Sequence, residues 1–336
     1  MPVRLGLRIP PAAPAPVVAD AIVRAEELGW DSVWIPDSQL LWRDPFAVLA
    51  IAATRTSRIR LGIAVTNFAT RHVSALAGAI RTVGELAPGR FVVAVGAGNS
   101  SVRPVGLRPT GTRGLGAEIT RLRALLDGGE VDFGARPIVR LRDAAPVPVY
   151  VAATGPRNLE MAGAAADGAI LQVGTTVDGV NRGVTNVADG ARSADRDPGS
   201  VPVVVTATCL LTDDLDRDAV RFKPHAVTIA GDGGGVALAK AGITVRPLPA
   251  EGAPVVYPDL LHAEDHDAAV RACDPYVTDA DAVRFATRFA FGGEADAVRA
   301  RIAEMHALGA AEVLLQHIGS YDMPTAIMEQ VDKLRP

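Results

Sequence analysis

Cysteine is nearly missing: the 336 residues hold two, Cys209 and Cys273, far apart and outside any metal-spaced cluster. That excludes a disulfide framework and a cysteine zinc site, and both thiols are expected to be buried and inert. Lysine is almost as rare, and no stretch gathers basic residues into a block. With a net charge of −4 and a pI near 5.9, nucleic acid is not an expected partner. Nowhere does an apolar run reach the roughly 18 residues of a membrane span, so no membrane association is expected. The chain enters the apolar stretch Val3 to Ile9 without the basic lead-in and long apolar segment of a secretion signal, which points to a cytoplasmic protein. Also absent are a Ser-His-Asp order, a phosphate-binding P-loop and any metal-ligand spacing, so no metal is expected.

What the chain has is alternation. It is 49% hydrophobic and 21% charged, enough apolar material for a large core. Short apolar runs at Arg4–Ile9, Ser32–Ile35, Arg60–Thr66, Phe91–Val95, Val147–Ala152, Ala169–Val173, Val201–Leu211 and Glu312–His317 read as strands. Amphipathic helical stretches lie between them, from Val17–Leu28 to a closing helix at Met323–Leu334. Eight such units predict a (β/α)₈ TIM barrel, 1–336 as a single domain, although alternation alone also suits an open doubly wound sheet. Two regions break the rhythm: a Pro/Arg-rich excursion at 128–146, and 212–292, too long for a loop and interrupted at Gly233-Gly234-Gly235. The second predicts a long insertion after strand seven.

In a barrel the reactive groups gather at the carboxyl ends of the strands. Strand one ends on Arg8, and strand two on Asp37, which is either a polar site residue or a cap for the next helix. Strand three runs into Ala64-Val65-Thr66-Asn67 and on to His72, and strand four into Gly96-Ala97-Gly98-Asn99, where glycines admit a flat ring or a phosphate. Strand five ends at Thr154-Gly155 before a helix opened by Pro156, whose free N–H groups suit an anion. Strand six ends at Gly174-Thr175-Thr176, again anion-friendly. His225, His262 and His266 fall in the insertion and read as solvated. The protein is expected to supply a shaped cavity and a cofactor the chemistry.

Several of these stretches resemble the luciferase-like monooxygenase superfamily: 27–37, 61–67 with Thr70-Arg71-His72, 89–98, 148–156, 165–170 and 312–316. Within it they look most like the branch of the coenzyme F420-dependent methylenetetrahydromethanopterin reductases. The resemblance covers residues 1–210 and 288–336 well and the insertion poorly. It implies a cofactor ring across strand ends three and four, contacting Asp37, Ala64, Val65, Thr66, Asn67, Gly96, Ala97 and Gly98. A non-proline cis peptide at Ala64–Val65 is implied to prop that ring as a bulge. The phosphate is implied near Thr154, Gly155, Gly174, Thr175 and Thr176, and a homodimer by analogy of fold.

The expected activity is that of an F420-dependent oxidoreductase moving a hydride between the deazaflavin C5 and a small carbonyl, imine or alkene. The alternatives are a two-component monooxygenase using reduced FMN, and a non-catalytic barrel homologue. His72, Asp37 and Asn99 are the catalytic candidates, with His72 either proton donor or cap of the third helix. Arg8, Trp42 and Gln316 are placed at the substrate mouth. Where the reductases carry acids at the end of strand one and after Gly-Ala-Gly, this chain has Arg8 and Asn99, a change that suits an anionic or carbonyl-bearing substrate.

Overall fold

The structure, a computed structural model, describes residues 3–135 and 137–336. Nine parallel strands form one sheet: β1 (Arg4–Arg8), β2 (Ser32–Ile35), β3 (Arg60–Thr66), β4 (Phe91–Val95), β5 (Val149–Ala153), β6 (Gly168–Leu171), β7 (Val203–Leu211), β8 (Phe291–Gly293) and β9 (Glu312–His317). β6 pairs with β7, and β9 stands between β7 and β1, so eight of the strands close into a barrel. Closure decides against the open sheet. Every position of β2, β4, β5 and β6 is buried, which is why these strands read as unbroken apolar runs.

Helices α1 (Ala15–Leu28), α2 (Pro45–Ala53), α3 (Val73–Leu86), α4 (Thr112–Leu126), α5 (Pro156–Ala165) and α6 (Val177–Ser193) follow their strands in turn. α1 ends on Gly29 in the left-handed conformation, φ 91°, which only glycine adopts without strain. α5 and α6 pack backbone to backbone. A Cβ on Gly163 would come within 1.9 Å of the Val187 carbonyl oxygen, and one on Gly190 equally close to that of Glu160.

Inside the barrel, Trp34, Val92, Tyr150, Ile170, Val204 and Leu314 make an apolar plug. Gly62 makes room for it, since a Cβ there would lie 2.4 Å from the Trp34 ring. At the foot of the plug, fully buried Glu312 accepts from Ser32 Oγ at 2.6 Å and Trp34 Nε1 at 2.7 Å, with Arg4 and Arg60 at 3.4 and 3.3 Å. Glu312, Ser32, Arg4 and Arg60 sit at strand starts. The plug therefore fills the amino end of the barrel and leaves the carboxyl end free for a site.

The insertion carries α7 (Leu215–Asp218), α8 (Lys223–Ile229), α9 (Gly235–Lys240), α10 (His266–Cys273) and α11 (Asp279–Arg288). Gly233, φ 89°, breaks the path between α8 and α9. Phe222, Leu238, Cys273 and Phe285 belong to an apolar cluster of its own. The expected boundary at 292 moves, because Phe291–Gly293 is the short strand β8, paired with the end of β7 at Cys209 to Leu211. Three residues, two of them glycine, are too few to show as a strand in sequence. α12 (Ala295–Ala307) then leads to β9. The single closing helix expected at 323–334 is instead two short ones, α13 (Thr325–Met328) and α14 (Val331–Leu334), and the Met328 carbonyl between them takes a hydrogen bond from Trp30 Nε1 at 3.0 Å. Both cysteines are buried, and burial pushes each thiol up to about 12, as their scarcity suggested.

Candidate active site

A cavity of about 910 Å³ opens at the carboxyl ends of the strands, roofed by the insertion at 252–262. Twelve of the residues singled out in sequence line it: Arg8, Asp37, Trp42, Ala64, Val65, Asn67, Gly96, Ala97, Gly98, Asn99, Thr154 and Gln316. Closure of the barrel brings them together, since they come from six different strand ends.

The Ala64–Val65 peptide is cis. There the β3–β4 ladder slips: Ala64 pairs with Ala94 and Thr66 with Val95, so Val65 is bulged out toward the cavity. Facing it is Gly96, where a Cβ would sit 3.2 Å from Val65 Cγ2. From Ala64 to Val65 and from Gly96 to Gly98 the wall made by these two strand ends is backbone and apolar side chain, with Asn67 and Asn99 at its edge.

Asp37 is almost wholly buried and held on three sides. Thr66 Oγ1 donates to it at 2.7 Å, and Arg71 grips both oxygens, Nε at 2.6 Å and Nη2 at 3.0 Å. Burial alone would lower Arg71, but its hydrogen bonds and charge pairing with Asp37 and Asp44 raise it above the ordinary arginine value. The same Asp44 caps α2, accepting from the Phe46 and Ala47 N–H groups. Arg71→Met would leave Asp37 buried without its cation. A loss of about 2–3 kcal/mol is expected, somewhat below a fully buried pair because Arg71 keeps some solvent contact. Urea unfolding of the variant measures it.

Asn67 is engaged within its own loop: Oδ1 accepts from the Ala69 and Thr70 N–H groups, and Nδ2 donates to Ser101 Oγ at 3.0 Å. It locks the β3 loop to the β4 loop at the edge of the cavity. Asn99 is exposed at the rim, and Gln316 donates to Thr206 Oγ1 at 2.7 Å.

Six of the expected site residues lie elsewhere. His72 caps α3, its Nδ1 against Ser74 and its ring 5.4 Å from Phe133, and lines a small outer pocket with Phe68 and Arg121. The geometry is that of the capping alternative. Thr66 is buried and spends its hydroxyl on Asp37, and Gly155 is the N-cap of α5. Gly174 is covered by the Phe289 ring, 2.7 Å from where a Cβ would stand. Thr175 is fully buried, donating to the Ala290 carbonyl and accepting from Arg301, while Thr176 caps α6. The segment returning from the insertion sits on the end of β6. The anion-friendly end that faces the cavity is thus that of β5 alone.

Sequence reasoning missed several lining residues. Asn158, in the first turn of α5, has a buried Oδ1 with no partner. His262 lines the roof, its Nδ1 at 2.9 Å from both Asp259 oxygens, and Asp259 is pre-set by accepting from the Leu261 and His262 N–H groups. The spacing Asp259-x-x-His262 was the available signal, but only the fold brings that turn over the barrel. Ring stacking continues inward: His262 meets Trp42 edge-on at 5.2 Å, and the Arg8 guanidinium lies 5.1 Å over the Trp42 ring.

The reading of the insertion histidines as solvated is also corrected. His225 is largely buried with Nδ1 unpartnered, and burial, aided by His266, His262, Arg8 and Arg221, pushes it down to about 3. His266 and His317 are lowered as well, chiefly by burial. In the unfolded chain a histidine titrates near 6.5. Stability held by the neutral His225 is therefore complete above about pH 6.5 and is lost as pH falls from there toward 3. Between pH 7 and 4.5 that amounts to about 2–3 kcal/mol for one such group. His225→Leu is expected to flatten the melting temperature over that range, and an unchanged slope would disprove the assignment.

The chain matches the model of luciferase-like monooxygenases over residues 2–312. It belongs to that family. The 5,10-methylenetetrahydromethanopterin reductase of Methanolobus tindarius is 30% identical to the luciferase-like chain over 230 residues, 66% of this chain and 68% of that enzyme. The F420-dependent glucose-6-phosphate dehydrogenase of Kineococcus radiotolerans is 36% identical over 198 residues, 53% of this chain and 58% of the relative, so less than two thirds of its length is spanned. A solved F420-dependent secondary alcohol dehydrogenase in complex with an F420-acetone adduct shares the fold of the luciferase-like chain along its whole length, with a TM-score of 0.76 at 18% identity. No helix among the described residues is long and apolar enough to cross a membrane.

Proposed function

We propose that this chain is a coenzyme F420-dependent oxidoreductase, moving a hydride between the deazaflavin C5 and a carbonyl, imine or activated-alkene carbon of a small molecule. The observation that carries the reading is the apolar wall formed by the Val65 bulge and Gly96 on one side of the 910 Å³ cavity, where no polar side chain stands in the way of a flat ring. Its relatives' names point the same way. At the β5 end, Thr154 and the unpartnered Asn158 Oδ1 suit the polar tail, beside the N-terminus of α5. Bound there, the deazaflavin would supply the two-electron chemistry that the side chains lack.

The chain's own work is positioning and proton handling. Arg71 and Asn67 stiffen the two loops that flank the bulge. His262, oriented through Nδ1 by Asp259 and with Nε2 free among the described residues, takes the proton role first given to His72. The homodimer implied by the resemblance belongs to this reading, and sedimentation velocity measures it.

Separate titrations with F420 and FMN, followed by tryptophan quenching and ring absorbance, test the cofactor. F420 is expected to bind at least about tenfold more tightly than FMN. Tighter FMN binding would favour the monooxygenase reading, and binding of neither would favour a non-catalytic homologue.

A further inference from the structure

The charges lining the cavity leave one group unmatched. Three carboxylates face it, and each has its own partner: Asp37 is paired with Arg71 at 2.6 Å and Asp232 with Arg103 at 3.9 Å, and Asp259 is held by His262 Nδ1 at 2.9 Å. Arg8 lines the same space, and among the described residues its guanidinium makes no ion pair and no side-chain hydrogen bond; it lies over the Trp42 ring. Its neighbours in register, Trp34 on β2 and Gln316 on β9, are neutral. Placing a cation in a cavity without a counter-charge is unfavourable, and burial holds Arg8 down to about 10 with nothing opposing it.

The guanidinium is also held in place before any ligand arrives. Trp42 beneath it donates from Nε1 to the Ser320 carbonyl at 2.9 Å and is braced at its edge by His262. A planar fork fixed on an aromatic face is suited to grip two oxygens of a carboxylate or phosphate. Its position argues for the substrate rather than the cofactor. The apolar wall and the tail site run along β3, β4 and β5, whereas Arg8 ends β1, two strands away, next to the turn at Asp259 to His262.

We propose that Arg8 anchors an oxyanion carried by the substrate itself, so that the molecule oxidised or reduced here is an anionic carbonyl or alcohol compound. This rests on the cavity being the deazaflavin site. The anchor holds the anionic head on the β1 side, with the reacting carbon between it and the ring wall and His262 within the same roof.

Calorimetry with pyruvate, inorganic phosphate and neutral acetone, each added to the protein with and without F420, tests it. At least one oxyanion is expected to bind at least about tenfold more tightly than acetone. Arg8→Met should weaken that oxyanion about tenfold or more while F420 affinity stays within about threefold; Arg103→Met, at a cation already paired, should change oxyanion binding by less than about twofold. Equal binding of pyruvate, phosphate and acetone to the wild-type protein overturns the proposal even if Arg8→Met fails to fold. So does Arg8→Met that loses F420 while keeping the oxyanion, because Arg8 would then serve the cofactor. Arg8-dependent oxyanion binding in a protein that takes up no deazaflavin would remove the cofactor reading and leave the anchor standing.

Discussion

Replacing Gly96 with valine is expected to weaken F420 binding by about 100-fold while the melting temperature moves by only a few degrees. Even the first carbon of the new side chain would lie 3.2 Å from Val65 Cγ2 and 3.8 Å from the Ala152 carbonyl, so Val65 must give way and the branch must project into the cavity. Two methyl groups in the ring space cost about 1–3 kcal/mol through overpacking, and about 1.4 kcal/mol is a tenfold change in affinity. The effect should fall on binding more than on folding, because Gly96 lines the cavity and meets only Val65 and Ala152 at the upper edge of the plug. The measurement is the F420 titration, with thermal melting alongside. A folded Gly96→Val protein of wild-type affinity would show that the ring lies on another wall.

Gly190→Val is expected to be the most damaging single change to the fold, a loss of about 3 kcal/mol or more. A Cβ at this position lies 1.9 Å from the Glu160 carbonyl oxygen and 2.7 Å from its Cα, both rigid backbone atoms of α5. No rotamer relieves that overlap, so α6 must move away from α5 and unpack Leu159, Ala162 and Val187. Overpacking usually costs about 1–3 kcal/mol, and a clash with backbone belongs at or beyond the top of that range. Denaturant unfolding gives the value. Gly78→Ala is the control: nothing lies within 4 Å of its would-be Cβ, so stability should hold or rise slightly.

Local pattern carried most of the architecture. The barrel strands are largely buried on both faces and show as apolar runs, and most of the outer helices show an inward stripe, so the barrel strands were legible to within about two residues. The Ala64–Val65 link was legible through resemblance. β8 and the split of the last helix were not, for Phe291-Gly292-Gly293 is stabilised by the neighbouring end of β7 and not by its own sequence.

The candidate site divides along the same line. Residue types at strand ends determined that Arg8, Asp37, Trp42, the Ala64–Val65 bulge, Gly96 and Gln316 share one rim, because a closed barrel places all its carboxyl ends on one side. What each polar group does there was decided by tertiary contacts. Thr175 reads as a phosphate ligand until Arg301 and Ala290, far along the chain, occupy it, and His72 reads as a proton donor until its Nδ1 caps α3. His262 reads as a solvated loop residue until the insertion folds over the mouth. Hydrogen bonds between residues distant in sequence leave no periodicity behind, so whether a side chain is free for chemistry is settled only when the chain has closed around it.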